Sequence, residues 1–112
     1  MPVLTCLNSC PDEASAQRIA RTLVDARLAA CVSLVPGVTS IYRWQGRVQT
    51  DAEVLLVIKT TADRLEALTE RLRALHPYDV PELVALPVAG GLADYLHWVE
   101  AETAPIEAGD AD

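Results

Sequence analysis

The chain has 112 residues, 51% of them hydrophobic, and sets sixteen Asp and Glu against nine Lys and Arg for a formal charge of −7. That size suits one domain with a modest core, and without a clustered Lys or Arg stripe nucleic-acid binding by counterion release is excluded. With no apolar run of the roughly eighteen residues a membrane helix needs, and no basic leader or cleavage motif after Met1-Pro2, the expectation is a cytoplasmic protein. Its three cysteines, Cys6, Cys10 and Cys31, then read as reduced thiols, neither a disulfide framework nor a zinc knuckle.

Val3 to Asn8 has strand character. Ser9-Cys10-Pro11-Asp12-Glu13 marks a helix start: Ser9 can cap, proline is tolerated in the first turn and the acids suit the positive end of the dipole. Ala16, Ile19, Ala20, Leu23 and Val24 then fall three and four apart and make one apolar face. Ala30 to Thr60 reads as one long β-hairpin. In its first arm Val38, Ser40, Tyr42 and Trp44 share one face, and Thr39, Ile41 and Arg43 the other. Pro36-Gly37 predicts a bulge and Gln45-Gly46 the reversal. Val54 to Ile58 is apolar on both faces, which suits a central strand. Strands of this length exceed the usual five or six residues or so, and the excess calls for another subunit.

Thr60-Thr61-Ala62-Asp63 predicts the cap of a second helix with Leu65, Leu68, Leu72 and Leu75 as its buried stripe, stopped by Pro77. Glu82 to Val88 reads as a strand, with Pro87 pointing to an edge. Leu92, Tyr95, Leu96 and Val99 support a short last helix that carries His97 and Trp98. Residues 1–100 are thus expected to form one domain, and 101–112, with Glu102, Glu107, Asp110 and Asp112 and no basic residue, a fraying acidic tail. The order β-α-β-β-α-β-α predicts an α+β, ferredoxin-like subunit: an antiparallel sheet with both main helices on one face. The other face needs a partner, so association through sheet faces or strand edges is expected.

Three blocks carry a resemblance to a known family. They are Ala30-Cys31-Val32 through Pro36-Gly37-Val38-Thr39-Ser40-Ile41-Tyr42-Arg43-Trp44-Gln45-Gly46, Ile58-Lys59-Thr60, and His76-Pro77-Tyr78-Asp79-Val80-Pro81-Glu82. In order and spacing they resemble the CutA divalent-cation tolerance proteins, over about Val3 to Val99. The resemblance implies a cytoplasmic homotrimer of ferredoxin-like subunits, similar in architecture to the PII signalling proteins, with hairpins that wrap neighbouring subunits and a link to copper and other divalent metals. Family members for which copper binding is proposed carry a cysteine three residues before Pro-Asp-Glu and a second histidine just before His-Pro. Asn8 and Leu75 occupy those positions here, so His76 is what remains of that ligand set, with Glu82 as a neighbour and Cys6 and Cys10 two residues to either side of Asn8.

His76 to Glu82 is the densest polar cluster in the sequence, and its two prolines stiffen a loop that holds an imidazole, a phenol and carboxylates. His76 reads either as a metal ligand together with Glu82 or as a residue that binds the last carbonyls of the helix. Copper(II) takes imidazole and thiolate donors in threes or fours, which one histidine does not supply. Lys59, the only lysine, shares strand parity with Glu53. It reads as an ion-pair partner of Glu53 or Glu82, or as a cation that receives an anionic ligand. The expected ligand cleft, formed between subunits, therefore comprises Lys59, Tyr78, Glu82 and Glu53. Tyr42 and Trp44 are assigned to the trimer interface, and Tyr95 and Trp98 to covering the sheet end. No GxSxG, P-loop, GxGxxG or HExxH is present, so the expectation is a binding or signalling module and not an enzyme. Its partners would be other copies of itself, a metal ion or small molecule, and other proteins docked on a trimeric scaffold.

Overall fold

The computed structural model describes residues 2–105. Strand β1 (Val3–Cys10) leads into helix α1 (Glu13–Asp25). Strands β2 (Cys31–Trp44) and β3 (Arg47–Thr61) form the hairpin, a short 3-10 turn (Ala62–Arg64) opens helix α2 (Leu65–Leu75), and strand β4 (Val84–Pro87) and helix α3 (Ala93–Thr103) follow. The sheet is antiparallel throughout, in the order β2-β3-β1-β4. This is the expected ferredoxin-like α+β arrangement, with β3 central and β4 at an edge.

Strand alternation sorts the sheet into two faces. Leu4, Cys6 and Cys10 of β1 stand beside Val54, Leu56 and Ile58 of β3 and pack against Ala16, Ile19 and Leu23 of α1 and Leu68 and Leu72 of α2. Both main helices therefore cover one face. On the other face α3 covers only a corner, where Val99 and Leu96 meet Val3, Ala30 and Val88. The rest of that face presents Val35, Val84 and Leu86 exposed and Leu7, Leu55 and Val57 half-buried.

Several boundaries differ from expectation, each for a local reason. β1 continues through Ser9 to Cys10 because both pair with β3, so Asp12 and not Ser9 caps α1, accepting from the Ser15 N–H at 2.7 Å. Val24 is exposed and Ser15 takes a place on the buried face of α1. Thr60 is no cap; its hydroxyl is buried and donates to the Leu28 carbonyl, while Thr61 donates to the Asp63 carboxylate. The last strand is shorter than Glu82–Val88, since Glu82 is drawn into the loop. α3 outlasts residue 100: the Thr103 hydroxyl donates to the Val99 carbonyl, and Arg27 donates to the carbonyls of Ala101 and Ala104. The remainder of the expected acidic tail, from residue 106, lies outside the described residues.

The hairpin itself follows its sequence. The β2–β3 register shifts between Val35 and Val38, at Pro36-Gly37, where Gly37 has a positive φ of 76°. Gln45 (φ 51°) and Gly46 (φ 79°) form the two-residue turn closed by the Trp44–Arg47 pair, both central residues left-handed as a primed turn requires.

Candidate functional site

A cleft of about 750 Å³ opens between the outer hairpin and the loop after α2. Ser40, Tyr42, Trp44 and Glu53 come from the hairpin, Ser9 from the end of β1, and Pro77 to Glu82 from the loop. The loop is tied down from β1. Asn8 Nδ2 donates to the Glu82 carbonyl at 2.7 Å, and Ser9 Oγ donates to Glu82 Oε1 at 3.3 Å. Arg18 meets the last carbonyls of α2 by donating to Leu75 O, the capping role that His76 was one candidate for.

His76 sits behind this loop, 8% exposed. Its Nδ1 accepts from the Tyr78 backbone N–H at 3.1 Å and its Nε2 lies 2.8 Å from the Ser9 carbonyl. An acceptor at Nδ1 and a carbonyl facing Nε2 together require the proton on Nε2, so the ring is a neutral imidazole committed at both nitrogens. Its ring centroid lies 4.9 Å from that of Tyr78, with the two rings tilted by 49°. Cys10 Sγ is 3.8 Å from Nε2 and donates to Asn8 Oδ1 at 3.3 Å. Burial, with Asp12 and Glu53 nearby, pushes the Cys10 thiol up to about 11, and burial pushes Cys6 to about 11 as well. Both are protonated thiols at neutral pH.

Glu53 is the chemically distinctive residue of the cleft. It is 7% exposed, yet its Oε2 accepts the Tyr78 hydroxyl at 2.6 Å. Burial first, and then this hydrogen bond and the charge on Glu53, raise the Tyr78 hydroxyl well above the ordinary tyrosine range. Tyr42 donates to Asp51 next to it and is raised likewise, first by that hydrogen bond.

Of the expected cleft residues, Glu53, Tyr78 and Glu82 come together, and Tyr42 and Trp44, assigned to an interface, line the same cleft. Lys59 does not. It is half-buried toward the opposite end of the sheet, paired in register with Thr5 and Cys31. It lies six positions along β3 from Glu53, about 20 Å, and within one chain no ion pair links it to Glu53 or Glu82. Tyr95 and Trp98 do contact each other, ring centroids 5.6 Å apart, but both are substantially exposed. Sequence reasoning missed Ser9 and Asp51. Alternation could have found Ser9, since it places that residue on the face opposite Cys10, toward the cleft.

The residues present do not fit a copper site of the imidazole and thiolate kind. Both His76 nitrogens are taken, and Glu82 meets His76 only across Ser9. The Asn8 amide is spent on the loop and on Cys10, and Leu75 has no donor. Among the described residues no three His, Cys, Asp or Glu side chains stand together as a metal-holding group. Within one chain His76 holds the loop, tied to the Ser9 carbonyl and the Tyr78 N–H.

Comparison with known proteins decides the family. Residues 4–102 match the family model described as CutA1 divalent ion tolerance protein. The chain belongs to the CutA1 divalent ion tolerance family. It is 57% identical over 93 residues to the divalent-cation tolerance protein CutA of Thermus thermophilus, which covers 83% of this chain and 90% of that one. It is 47% identical over 103 residues to Protein CutA 1, chloroplastic, of Oryza sativa, covering 92% of this chain and 58% of the rice protein. A crystal structure of CutA from Xylella fastidiosa superposes with a TM-score of 0.90 at 47% identity, covering 93% of this chain and 100% of that one. Among the described residues no helix is long and apolar enough to cross a membrane. A chloroplastic relative means that the CutA1 family does not by itself fix a compartment.

Proposed function

We propose that this chain acts in divalent-cation tolerance as a cytoplasmic homotrimer, a binding module and not an enzyme, whose clefts receive a small ligand at Glu53, Tyr78 and Glu82. One observation carries this reading: a carboxylate withdrawn from solvent at the wall of an open cleft and aimed by a tyrosine hydroxyl. Burying a carboxylate without a cation is costly, and a bound ligand would offset that cost. The trimer draws support from the half-bare apolar sheet face and from the projecting hairpin, which in a trimer would bring a neighbour to each cleft. The three free cysteines suit a reducing compartment. Copper held by His76 has no part in this reading.

Native mass spectrometry of protein purified from copper-supplemented cells tests it. The expected result is a three-chain mass without stoichiometric copper; one copper per chain, lost in His76→Ala, contradicts it. A second reading is a PII-like scaffold that docks partner proteins without a ligand. It is favoured by Ile41 and Val48, 70% and 65% exposed far out on the hairpin. Replacing Val48, which does not line the cleft, with serine would remove such partners in a pull-down and leave cleft binding unchanged.

A further inference from the structure

The helix layer carries a second groove, on the side of the sheet away from its bare face and toward the end opposite the hairpin tip. A trimer joined through the bare face and the hairpin leaves α1 and α2 on its outside. The groove is about 400 Å³ and is lined chiefly by Ala26 and Leu28, from the turn after α1, and by Arg64, Ala67, Glu70 and Arg71 along α2. Two guanidiniums stand there with one carboxylate, a positive lining in a protein of formal charge −7. Arg64 donates to the Arg27 carbonyl at 3.3 Å, and among the described residues neither Arg64 nor Arg71 meets a carboxylate. Solvated arginines are ordinary on a helix; what singles these out is the chain that runs toward them. Arg27 joins the groove to α3, because its Nε donates to the Ala104 carbonyl at 2.9 Å while its own carbonyl accepts from Arg64. The chain therefore leaves α3 one side chain's length from the groove. Residues 106–112 follow, with Glu107, Asp110 and Asp112 and no basic residue. Arg64 and Arg71 are about 10 Å apart along the helix, and eight residues from 105 can extend over about 26 Å, so the segment reaches both.

We propose that residues 106–112 dock in this groove of their own chain, with Ile106 over the floor of Ala26 and Leu28 and the three acids toward Arg64 and Arg71. Exposed ion pairs are individually weak, but a segment on a short tether meets its site at an effective concentration in the millimolar range. Docked there, it closes the groove to other acidic chains. The inference is independent of the cleft and of any ligand in it.

Zero-length carbodiimide coupling of the whole protein carrying Arg71→Lys tests this. The substitution, at an exposed position, keeps the charge and supplies an amine, and Lys59, on the opposite face of the sheet, is the internal control. Peptide mass mapping of material that runs at single-chain mass on a denaturing gel should find position 71 joined to Glu107, Asp110 or Asp112, and Lys59 joined to none of them. Adding Arg64→Gln, or raising salt to about 1 M, where the screening length is about 3 Å, should lower the yield about fivefold. Coupling confined to two-chain products would seat the segment on a neighbouring copy and overturn docking within one chain. Absence of coupling between position 71 and residues 106–112, equal coupling at Lys59, or a yield that neither salt nor Arg64→Gln moves overturns the proposal outright.

Discussion

At the scale of single residues, His76 shows how one side chain can look like a ligand and serve as a fastener. Its ring satisfies a carbonyl of β1 and an amide of the loop, so His76→Ala would leave both groups without partners. The expected cost is about 2–3 kcal/mol, read from urea denaturation, and the loop should become susceptible to proteolysis before the whole molecule unfolds. A result within a few tenths of wild type would contradict the fastening role. Tyr78 gives a pH signature. Its folded pKa is raised above the ordinary value of 10.0, so the unfolded chain releases the proton first. The stabilisation is complete below about pH 10 and is lost as pH rises further, with a slope of at most about 1.4 kcal/mol per pH unit for one proton. Tyr78→Phe should flatten the alkaline limb of a stability–pH curve by that one proton. The buried thiols make a third expectation. Cys6 and Cys10, protonated and enclosed, should resist iodoacetamide in the native protein and react on unfolding, as peptide mass mapping would register. At this scale the sequence was half legible. Glu53, Tyr78 and Glu82 could be grouped from parity and loop composition. Lys59 stands away from Glu53 within one chain because shared parity fixes a face but not a position along the strand. The partners of His76 are backbone groups, which composition does not reveal.

At the scale of elements, the hairpin decides most of the architecture, and its signals are local. Proline and glycine inside a β-branched run can be accommodated at few places, and both the bulge and the turn fall where those residues stand. Gly46 has open space where a Cβ would be, so the cost of Gly46→Ala comes from its positive φ alone, about 1 kcal/mol. Differential scanning calorimetry should show that loss, and Gln45→Asn should raise stability, since asparagine favours the left-handed conformation that Gln45 adopts. The helices were legible as periodicity, but their ends were not. Ser9 competes between capping a helix and extending a strand, and the ladder partner on β3 settles it for the strand. Thr60 faces the same choice and is claimed by the Leu28 carbonyl. α3 outran its apolar stripe because Arg27, seventy-four residues before Ala101 in the chain, holds its last carbonyls, a contact no local window contains.

At the scale of the whole molecule, the subunit is elongated. Its extents are 50 × 31 × 22 Å and its radius of gyration is 15.0 Å, against about 13 Å for a compact chain of this length. The excess is the outer hairpin, whose exposed Ile41, Val48, Tyr42 and Trp44 have no covering within one chain. The uncovered sheet face adds Val35, Val84 and Leu86. Membership of the CutA1 family explains why this shape recurs from Thermus to rice, while the assembly that would complete it belongs to solution. Sedimentation equilibrium at micromolar concentration is the most direct test of the account. Three 12.1 kDa chains together, about 36 kDa, is the predicted mass, held without dissociation on dilution; a folded species of single-chain mass, with the hairpin and sheet face left bare to water, would contradict it.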